Sequence, residues 1–140
     1  MTDEVPDVVV SNQHEYRFMP PDRCAFVLRG PFEEGDAAAY TQFIYQHADR
    51  LNTLLCATYD ISKLTRLTDG ARSHLMGVRR AFPLKRIALI GASFSTRMMA
   101  TMVIRAGRMV APDKWGFEYE FFPSPDEAET WLENPRSKRR

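Results

Sequence analysis

Three histidines are the side chains in this sequence that could act as general bases near neutral pH. His14 lies in an alternating segment that predicts an edge strand, and His47 lies on the apolar side of a predicted helix. His74 follows Gly70 by one turn in a second predicted helix. A general base needs a second polar group placed against it, and no spacing supplies one here. Each histidine is therefore interpreted as a partly buried, hydrogen-bonded packing residue.

The common motifs of catalysis and metal binding do not occur in the sequence. There is no His-Glu-x-x-His, Gly-x-Ser-x-Gly, Cys-x-x-Cys or Gly-x-Gly-x-x-Gly pattern. Cys24 and Cys56 each lie in an apolar, strand-like segment, which predicts buried reduced thiols rather than a disulfide or a zinc site. The sequence predicts no catalytic residue, no metal and no cofactor, although a site assembled across space stays open.

Small polar residues follow two predicted strands. Ligands of open α/β sheets bind outside the carboxyl ends of the strands, and helix N-termini attract anions. The candidate binding residues at these two places are Asp60, Ser62, Gly91, Ser93 and Ser95. They raise the hypothesis of a nucleotide or phosphate site. The favoured alternative is that Gly91 eases a tight turn and Ser95 caps the third helix.

Methionines are concentrated in one predicted helix, which holds four of the seven. Core packing is the default interpretation of such a cluster. However, the apolar residues of this helix form two rows. One row consists of Met98, Met102 and Met109, and the other consists of Met99, Val103, Ala106 and Val110. The apolar surface beside Ile104 is thus wider than one sheet contact needs. Met98 and Met102 are candidate binding residues for a second subunit or an apolar ligand.

Charge gives little indication of a partner. The chain has 19 basic and 18 acidic residues, so its net charge of +1 does not favour nucleic acid or a membrane surface. Four arginines lie around the second predicted helix, at Arg66, Arg72, Arg79 and Arg80. They could recognise an acidic partner, but a solvated charged face is the commoner explanation.

The length and composition predict one domain, since 140 residues with 44% hydrophobic content suffice for a single core. We place a polar N-terminal segment at residues 1–12, the domain at 13–134 and a basic tail at 135–140. The start has neither the positive region nor the apolar region of a secretory signal. No apolar run approaches the roughly 20 residues of a membrane span. We expect a cytoplasmic protein without an integral membrane segment.

The periodicity of apolar residues predicts an α/β fold with the order β-β-α-β-α-β-α-β-α. A hairpin is expected at residues 14–18 and 24–29, and buried strands at 54–59 and 87–90. Helices are expected from Asp36, from Thr68 to a stop at Pro83, at 95–110, and after Ser124 as N-cap. The result is a five-stranded mixed sheet with about four helices.

Segment 59–70, which reads YDISKLTRLTDG, resembles the signature of STAS domains, in which a strand ending Asp-Leu-Ser leads through a short loop to a helix. The buried strand 86–91, the long helix after it, and the aromatic strand followed by Ser-Pro-Asp-Glu-Ala resemble the SpoIIAA-like branch of that superfamily. The resemblance covers residues 14–132. It implies a single STAS-like domain, similar in shape to anti-sigma-factor antagonists and to CRAL-TRIO lipid-binding domains, and it implies no enzyme activity.

In those antagonists the loop before the helix carries a serine whose phosphorylation switches partner binding. This sequence has Thr68, Asp69 and Gly70 there. Thr68 could accept a phosphate, but its role as helix N-cap is favoured, and Asp69 already provides one permanent charge. The resemblance thus implies a non-enzymatic regulatory or scaffolding module that acts through protein association, first self-association. The alternatives are a lipid or other apolar ligand and, third, an anion or nucleotide.

Overall fold

A computed structural model describes residues 5–134 of the chain. The predicted basic tail at 135–140 lies outside the described residues. The elements, in chain order, are β1 (Val8–Ser11), β2 (His14–Met19), β3 (Arg23–Phe32), α1 (Glu34–Leu51), β4 (Leu55–Leu67), α2 (Asp69–Met76), β5 (Leu84–Ile90), α3 (Phe94–Val110), β6 (Glu118–Phe122) and α4 (Pro125–Glu133). The predicted α/β class and mixed sheet are confirmed. The sheet has six strands instead of five, in the spatial order β1-β2-β3-β4-β5-β6.

The additional strand is β1, which pairs antiparallel with β2 from Val8↔Arg17 to Ser11↔His14. Its three successive valines have the β-branched side chains that suit a strand. Asn12 adopts a positive φ of 55° in the tight turn to β2, a conformation that asparagine tolerates well. Because β1 covers β2, the prediction that His14 lies in an edge strand is wrong.

The parallel part of the sheet consists of β3 to β6. Strand β4 extends to Leu67, well beyond the predicted end at residue 59, because β3 continues beside it as far as the pair Phe32↔Leu67. Asp60 pairs with Ile90, the last residue of β5. Asp60 and Ser62 therefore lie within β4, at the level where β5 ends, and not beyond the end of their own strand.

Helices cover both faces of the sheet. Helices α1, α2 and α3 pack on one face around a core with many aromatic side chains, among them Phe26 and Phe43. Helix α4 packs on the other face, where Trp131 and Leu132 contact Cys56 and Ala88. Both cysteines are buried and free. This three-layer arrangement is the one that strands apolar on both sides require.

Two predicted helix boundaries are wrong. Helix α2 ends at Met76, and Gly77 follows it, so Pro83 does not terminate that helix. Helix α3 is capped by Ser93, whose Oγ accepts a hydrogen bond from the Thr96 N–H at 3.2 Å, so Ser95 is not the cap. The start of α4 is as predicted, since the Ser124 Oγ accepts from the Glu127 N–H at 3.4 Å.

Candidate functional site

An apolar cavity of about 130 Å³ lies between α3 and the sheet. Its walls come from three strands (β3, β4 and β5), from the helices α1, α2 and α3, and from the segments before β5 and after α3. They are formed by Leu28, Phe32, Tyr40, Tyr59, Ile61, Leu64, Leu67, Leu75, Phe82, Leu84, Ile87, Leu89, Ala100, Val103, Ile104, Trp115 and Phe117. A cavity with such walls is a place for an apolar group, because it offers water almost no hydrogen-bond partner.

Two tyrosines of the cavity wall are hydrogen-bonded to each other through their hydroxyl groups. The Tyr40 and Tyr59 hydroxyl oxygens lie 2.5 Å apart in a hydrogen bond. Burial raises the pKa of both phenols above the usual tyrosine value. Both side chains are therefore neutral over the physiological pH range. No local signal in the sequence indicates this pair, since Tyr40 and Tyr59 each fit the apolar pattern of their own element.

The C-terminal half of α3 is fixed to the segment that follows it. A Cβ atom on Gly107 would lie 2.2 Å from the Trp115 ring, so only glycine allows this close approach. The Arg108 Nε donates to the Trp115 carbonyl at 2.9 Å, and the Arg108 guanidinium also donates to the Phe117 carbonyl. These contacts hold α3 in place, while Ala100 and Val103 of its middle turns form a wall of the cavity.

The outward side of α3 exposes large apolar side chains. We call Phe94, Met98, Met102, Met109 and Val110 the α3 outer face; their exposed fractions range from 47% to 85%. The predicted binding residues Met98 and Met102 thus lie together on the surface.

The second apolar row of α3 is only partly covered by the sheet. Met99 and Val103 are partly buried and Ala106 and Val110 are exposed, whereas Ile104 is buried. The approach of Gly107 to Trp115 and the buried Thr96 set the rotation of α3. The exposed Phe94, which follows the cap residue Ser93, belongs to neither predicted apolar row.

Arginine is the charged residue type in α3, which contains no aspartate or glutamate. Arg97 and Arg105 are exposed. The Arg97 guanidinium lies 4.8 Å from the centre of the Phe121 ring, in a cation–π contact. The α3 outer face is therefore apolar, and the exposed charges beside its apolar side chains are all positive.

The candidate anion-binding residues lie at the level where β5 ends, and their polar side chains already have hydrogen-bond partners within the protein. The Asp60 Oδ1 accepts hydrogen bonds from the Ser62 N–H at 3.1 Å and from its Oγ at 2.8 Å. Gly91 has a φ of 76°, which favours glycine, and a Cβ atom there would lie 3.0 Å from the Ser62 Cβ. The Ser93 Oγ contacts the Ser95 Oγ at 3.4 Å. The Asp60 carboxylate disfavours an anion beside it, so these contacts favour turn and cap roles.

A cleft of about 310 Å³ lies beside this polar group. It is formed by Gly91, Ala92, Arg97, Phe121, Phe122 and Pro123. Arg97 is the cation in its wall, and it is engaged with Phe121. The cleft therefore offers an anion one exposed guanidinium and no buried polar side chain.

Thr68 and Asp69 form a separate group at the start of α2. The Thr68 Oγ1 accepts from the Ala71 N–H at 3.2 Å, which confirms Thr68 as the N-cap. Asp69 forms an ion pair with Arg72, and the Glu34 side chain lies against Gly70, where a Cβ atom would be 3.0 Å from the Glu34 Oε1. Two carboxylates thus lie at the start of α2, an unfavourable setting for a phosphate on Thr68.

The histidines have structural partners. The His14 Nδ1 accepts from the Arg29 N–H at 3.0 Å, and its Nε2 lies 3.0 Å from the Pro31 carbonyl. The His47 Nε2 bonds the Pro6 carbonyl at 2.9 Å, and burial lowers its pKa, with a further contribution from Arg50. The His74 Nε2 lies 2.9 Å from the Thr41 Oγ1.

Residues 5–134 contain neither a metal-binding cluster nor a helix suited to span a membrane. No cluster of three or more metal-ligating side chains occurs in that part of the chain. None of its helices has the length and apolar character to cross a bilayer.

Of the four arginines near α2, Arg72 pairs with Asp69, and Arg80 pairs with Asp49 at 2.8 Å.

Comparison with known proteins identifies the fold. No family model matches the chain, and no curated protein matches it. A crystal structure of an uncharacterized DUF3478-family protein with a SpoIIAA-like fold, from Shewanella loihica PV-4, matches with a TM-score of 0.60 at 20% identity, over 94% of this chain and 98% of that one. The anti-sigma factor antagonist SpoIIAA in its unphosphorylated form matches with a TM-score of 0.57 at 12% identity, over 86% of this chain and 98% of that one. The chain has a SpoIIAA-like fold.

Proposed function

We propose that this chain is a non-enzymatic regulatory or scaffolding module of the cytoplasm that acts through protein association, first with a second copy of itself. The observation that carries the proposal is the α3 outer face, where Phe94, Met98, Met102, Met109 and Val110 face solvent on one helix. Large contiguous apolar patches on a surface mark interaction sites. The fold shared with SpoIIAA, an anti-sigma factor antagonist, supports a regulatory role.

The α3 outer face suits a contact between two helices. Exposed apolar side chains recur on every turn of the first half of the helix, and methionine adapts its shape to a partner. The helix backbone is held by the Ser93 cap and by the Arg108 contacts. A rigid helix with adaptable side chains can pack against its own copy around a two-fold axis.

The test is sedimentation velocity over a range of concentrations. We expect the parent chain to form a dimer and the double variant Met98→Glu/Met102→Glu to stay monomeric, because two charged carboxylates would replace apolar side chains that the contact buries. The control is Leu54→Glu, which places a carboxylate at an apolar residue, 49% exposed, outside α3. It should dimerise like the parent chain. A parent chain that is monomeric at high concentration contradicts self-association.

A second candidate function is the binding of a small apolar ligand, and the cavity under α3 is the observation that favours it. The volume of about 130 Å³ is similar to that of an engineered apolar cavity known to hold benzene. Native mass spectrometry of the purified protein is expected to detect bound apolar molecules. Their absence from gently desolvated samples would count against this candidate.

A further inference from the structure

Strand β1 forms one edge of the sheet, and in the described part of the chain no strand lies on its outer side. The Asp7 carbonyl accepts a hydrogen bond from the Phe18 N–H at 2.7 Å, so Asp7 faces β2. Facing residues alternate along an antiparallel pair, and the register of β1 with β2 makes Val9 the next residue that faces β2. The N–H and C=O groups of Val8 and Val10 therefore point outward, as the unpaired groups of an edge strand.

The side chains of this edge are apolar and uncharged. Val8 and Val10 are 42% and 70% exposed, whereas Val9 packs against the core on the opposite face of the sheet. Edge strands are commonly protected from pairing by charged side chains, and the other edge strand, β6, carries Glu118 and Glu120. Strand β1 contains no charged residue. It is thus the edge of this sheet that is open to a further strand.

A second copy of β1 is complementary to this edge. When two copies lie antiparallel around a two-fold axis at Val9, Val8 lies opposite the partner's Val10, and Val10 lies opposite the partner's Val8. Each of these two pairs exchanges two backbone hydrogen bonds, because both residues present outward N–H and C=O groups. All the outward donors of the strand then have acceptors.

The neighbouring two-fold registers form fewer hydrogen bonds. If Val8 lies opposite the partner's Val8, then Val10 lies opposite the partner's Pro6. Proline has no N–H, and the Pro6 carbonyl already accepts a hydrogen bond from the His47 Nε2 at 2.9 Å. If Val10 lies opposite the partner's Val10, then Val8 meets the partner's Asn12, which is in the turn with a φ of 55°. The register centred on Val9 is therefore favoured.

The charges of β2 are compatible with the same arrangement. Arg17 lies beside Val8, and Glu15 lies beside Val10. In the joined sheet each cross-strand row would run from Arg17 through two valines to the partner's Glu15. No like charges lie opposite each other, and cross-strand pairs of β-branched side chains stabilise a sheet.

We propose that β1 pairs antiparallel with β1 of a second copy, with Val9 at the two-fold axis, so that two six-stranded sheets become one continuous sheet. This surface is separate from the α3 outer face and goes beyond the proposed function, because a protomer that uses both surfaces holds two partners. The contact consists of one short strand from each copy. It is therefore weaker than a standard protein interface, and it joins copies at high protein concentration.

Disulfide trapping tests the register. Residues opposite each other in a pair without hydrogen bonds have Cα atoms about 4.5 Å apart, within the range of a disulfide, so Val9→Cys should link two copies. Val8→Cys and Val10→Cys are the controls, because their copies lie diagonally at about 7–8 Å, beyond the usual reach of a disulfide. The native cysteines are buried and free. We expect Val9→Cys to link roughly tenfold faster than either control.

Random collisions give the opposite order. Val10 is the most exposed of the three valines and Val9 is only partly buried, so unspecific oxidation would link Val10→Cys fastest. That order would overturn the proposal.

A second substitution tests the strand contact itself. Adding Val10→Lys to the Val9→Cys chain should abolish the link, since lysine protects edge strands and the backbone groups of residue 10 take no part in the pairing with β2. Leu54→Lys is the matched control at an apolar residue, 49% exposed, outside β1 and α3, and it should leave the link unchanged. Equal effects of the two lysines would contradict the contact.

A measurement on the parent chain needs no variant. The amide proton resonances of Val8 and Val10 should move to higher frequency as the protein concentration rises, because these N–H groups gain acceptors. The resonance of Val9 should stay in place, since its N–H already faces β2. A uniform shift of all three resonances, or none, would count against pairing through β1.

The outcomes separate this contact from the α3 contact. Val9→Cys should link equally fast in the Met98→Glu/Met102→Glu chain, because α3 takes no part in the pairing of β1. Linking that requires the intact α3 outer face would reject β1 as an independent surface. Absence of both the link and the amide shifts would reject β1 pairing altogether, while sedimentation of the parent chain still decides self-association through α3.

Discussion

At the scale of single residues, the carboxylate of Asp36 connects the N-terminal hairpin to α1. It is fully buried, and its Oδ1 accepts hydrogen bonds from the Ser11 Oγ at 2.5 Å and the Asn12 Nδ2 at 2.7 Å. Its Oδ2 accepts from the Glu33 N–H at 2.9 Å and lies 3.3 Å from the His14 Nε2. Burial acts to raise the pKa of Asp36, but these hydrogen bonds and the nearby His14 outweigh it, and the pKa is lowered.

We predict that Asp36→Asn destabilises the protein by about 2 kcal/mol at neutral pH, because an amide cannot accept the same set of hydrogen bonds. The lowered pKa fixes the direction of the pH effect. The stabilisation is present above the usual aspartate pKa and is lost as the pH falls through the lower pKa of the folded state. Urea unfolding should therefore show a difference between the parent chain and the variant that shrinks below about pH 4.

The control for this prediction is Asp69→Asn, which makes the same substitution at a carboxylate that is 94% exposed and paired with Arg72. An exposed ion pair contributes about 0.5 kcal/mol or less, so this variant should unfold close to the parent chain. Equal losses at the two positions would contradict the role assigned to the buried carboxylate.

At the scale of elements, the contact between α3 and the segment after it depends on Gly107. We predict that Gly107→Ala destabilises the protein by about 1–3 kcal/mol, since its Cβ would overlap the Trp115 ring and force a repacking. The control is Gly35→Ala in α1, where nothing lies within 4 Å of an added Cβ. Because alanine is the better helix former, Gly35→Ala should be neutral or stabilising by up to about 1 kcal/mol in urea unfolding. Similar losses in both variants would contradict the close contact.

Elements that depend on local residues could be predicted from the sequence, and those that depend on distant partners could not. The caps at Thr68 and Ser124 follow from residue types within one turn. The length of β4 depends on β3, which lies far away in the sequence and continues beside it to Phe32. The end of α2 at Gly77 does not follow from the sequence, because the apolar spacing continues to Phe82, a residue that packs on Trp115 instead.

Some features of the candidate site could likewise be predicted from the sequence, and others could not. The exposure of Met98 and Met102 follows from the two apolar lines on α3, which periodicity reveals. The Tyr40–Tyr59 pair and the cavity arise where α1, α3 and the sheet meet, and no spacing in the sequence indicates them. Likewise, the pairing of His14 with Asp36 requires the hairpin to fold against the start of α1.

At the scale of the whole molecule, the net charge of +1 conceals a local asymmetry that bears on assembly. Helix α3 carries arginines and no carboxylate. A symmetric dimer through the α3 outer face would bring the exposed arginines of both protomers, Arg97 and Arg105, to one contact, where their charges repel. Salt screens such exposed charges over a distance of about 10 Å at 0.1 M.

We therefore predict that self-association through α3 strengthens as sodium chloride rises from about 50 to about 500 mM, because the repulsion between exposed arginines is screened. Sedimentation velocity at both salt concentrations gives the dimer dissociation constant, which should fall at high salt. Arg105→Gln removes one exposed charge from each side of the contact. This variant should dimerise more tightly at low salt and show a smaller salt dependence. Dimers that weaken with salt would instead indicate a contact between opposite charges, away from the α3 outer face.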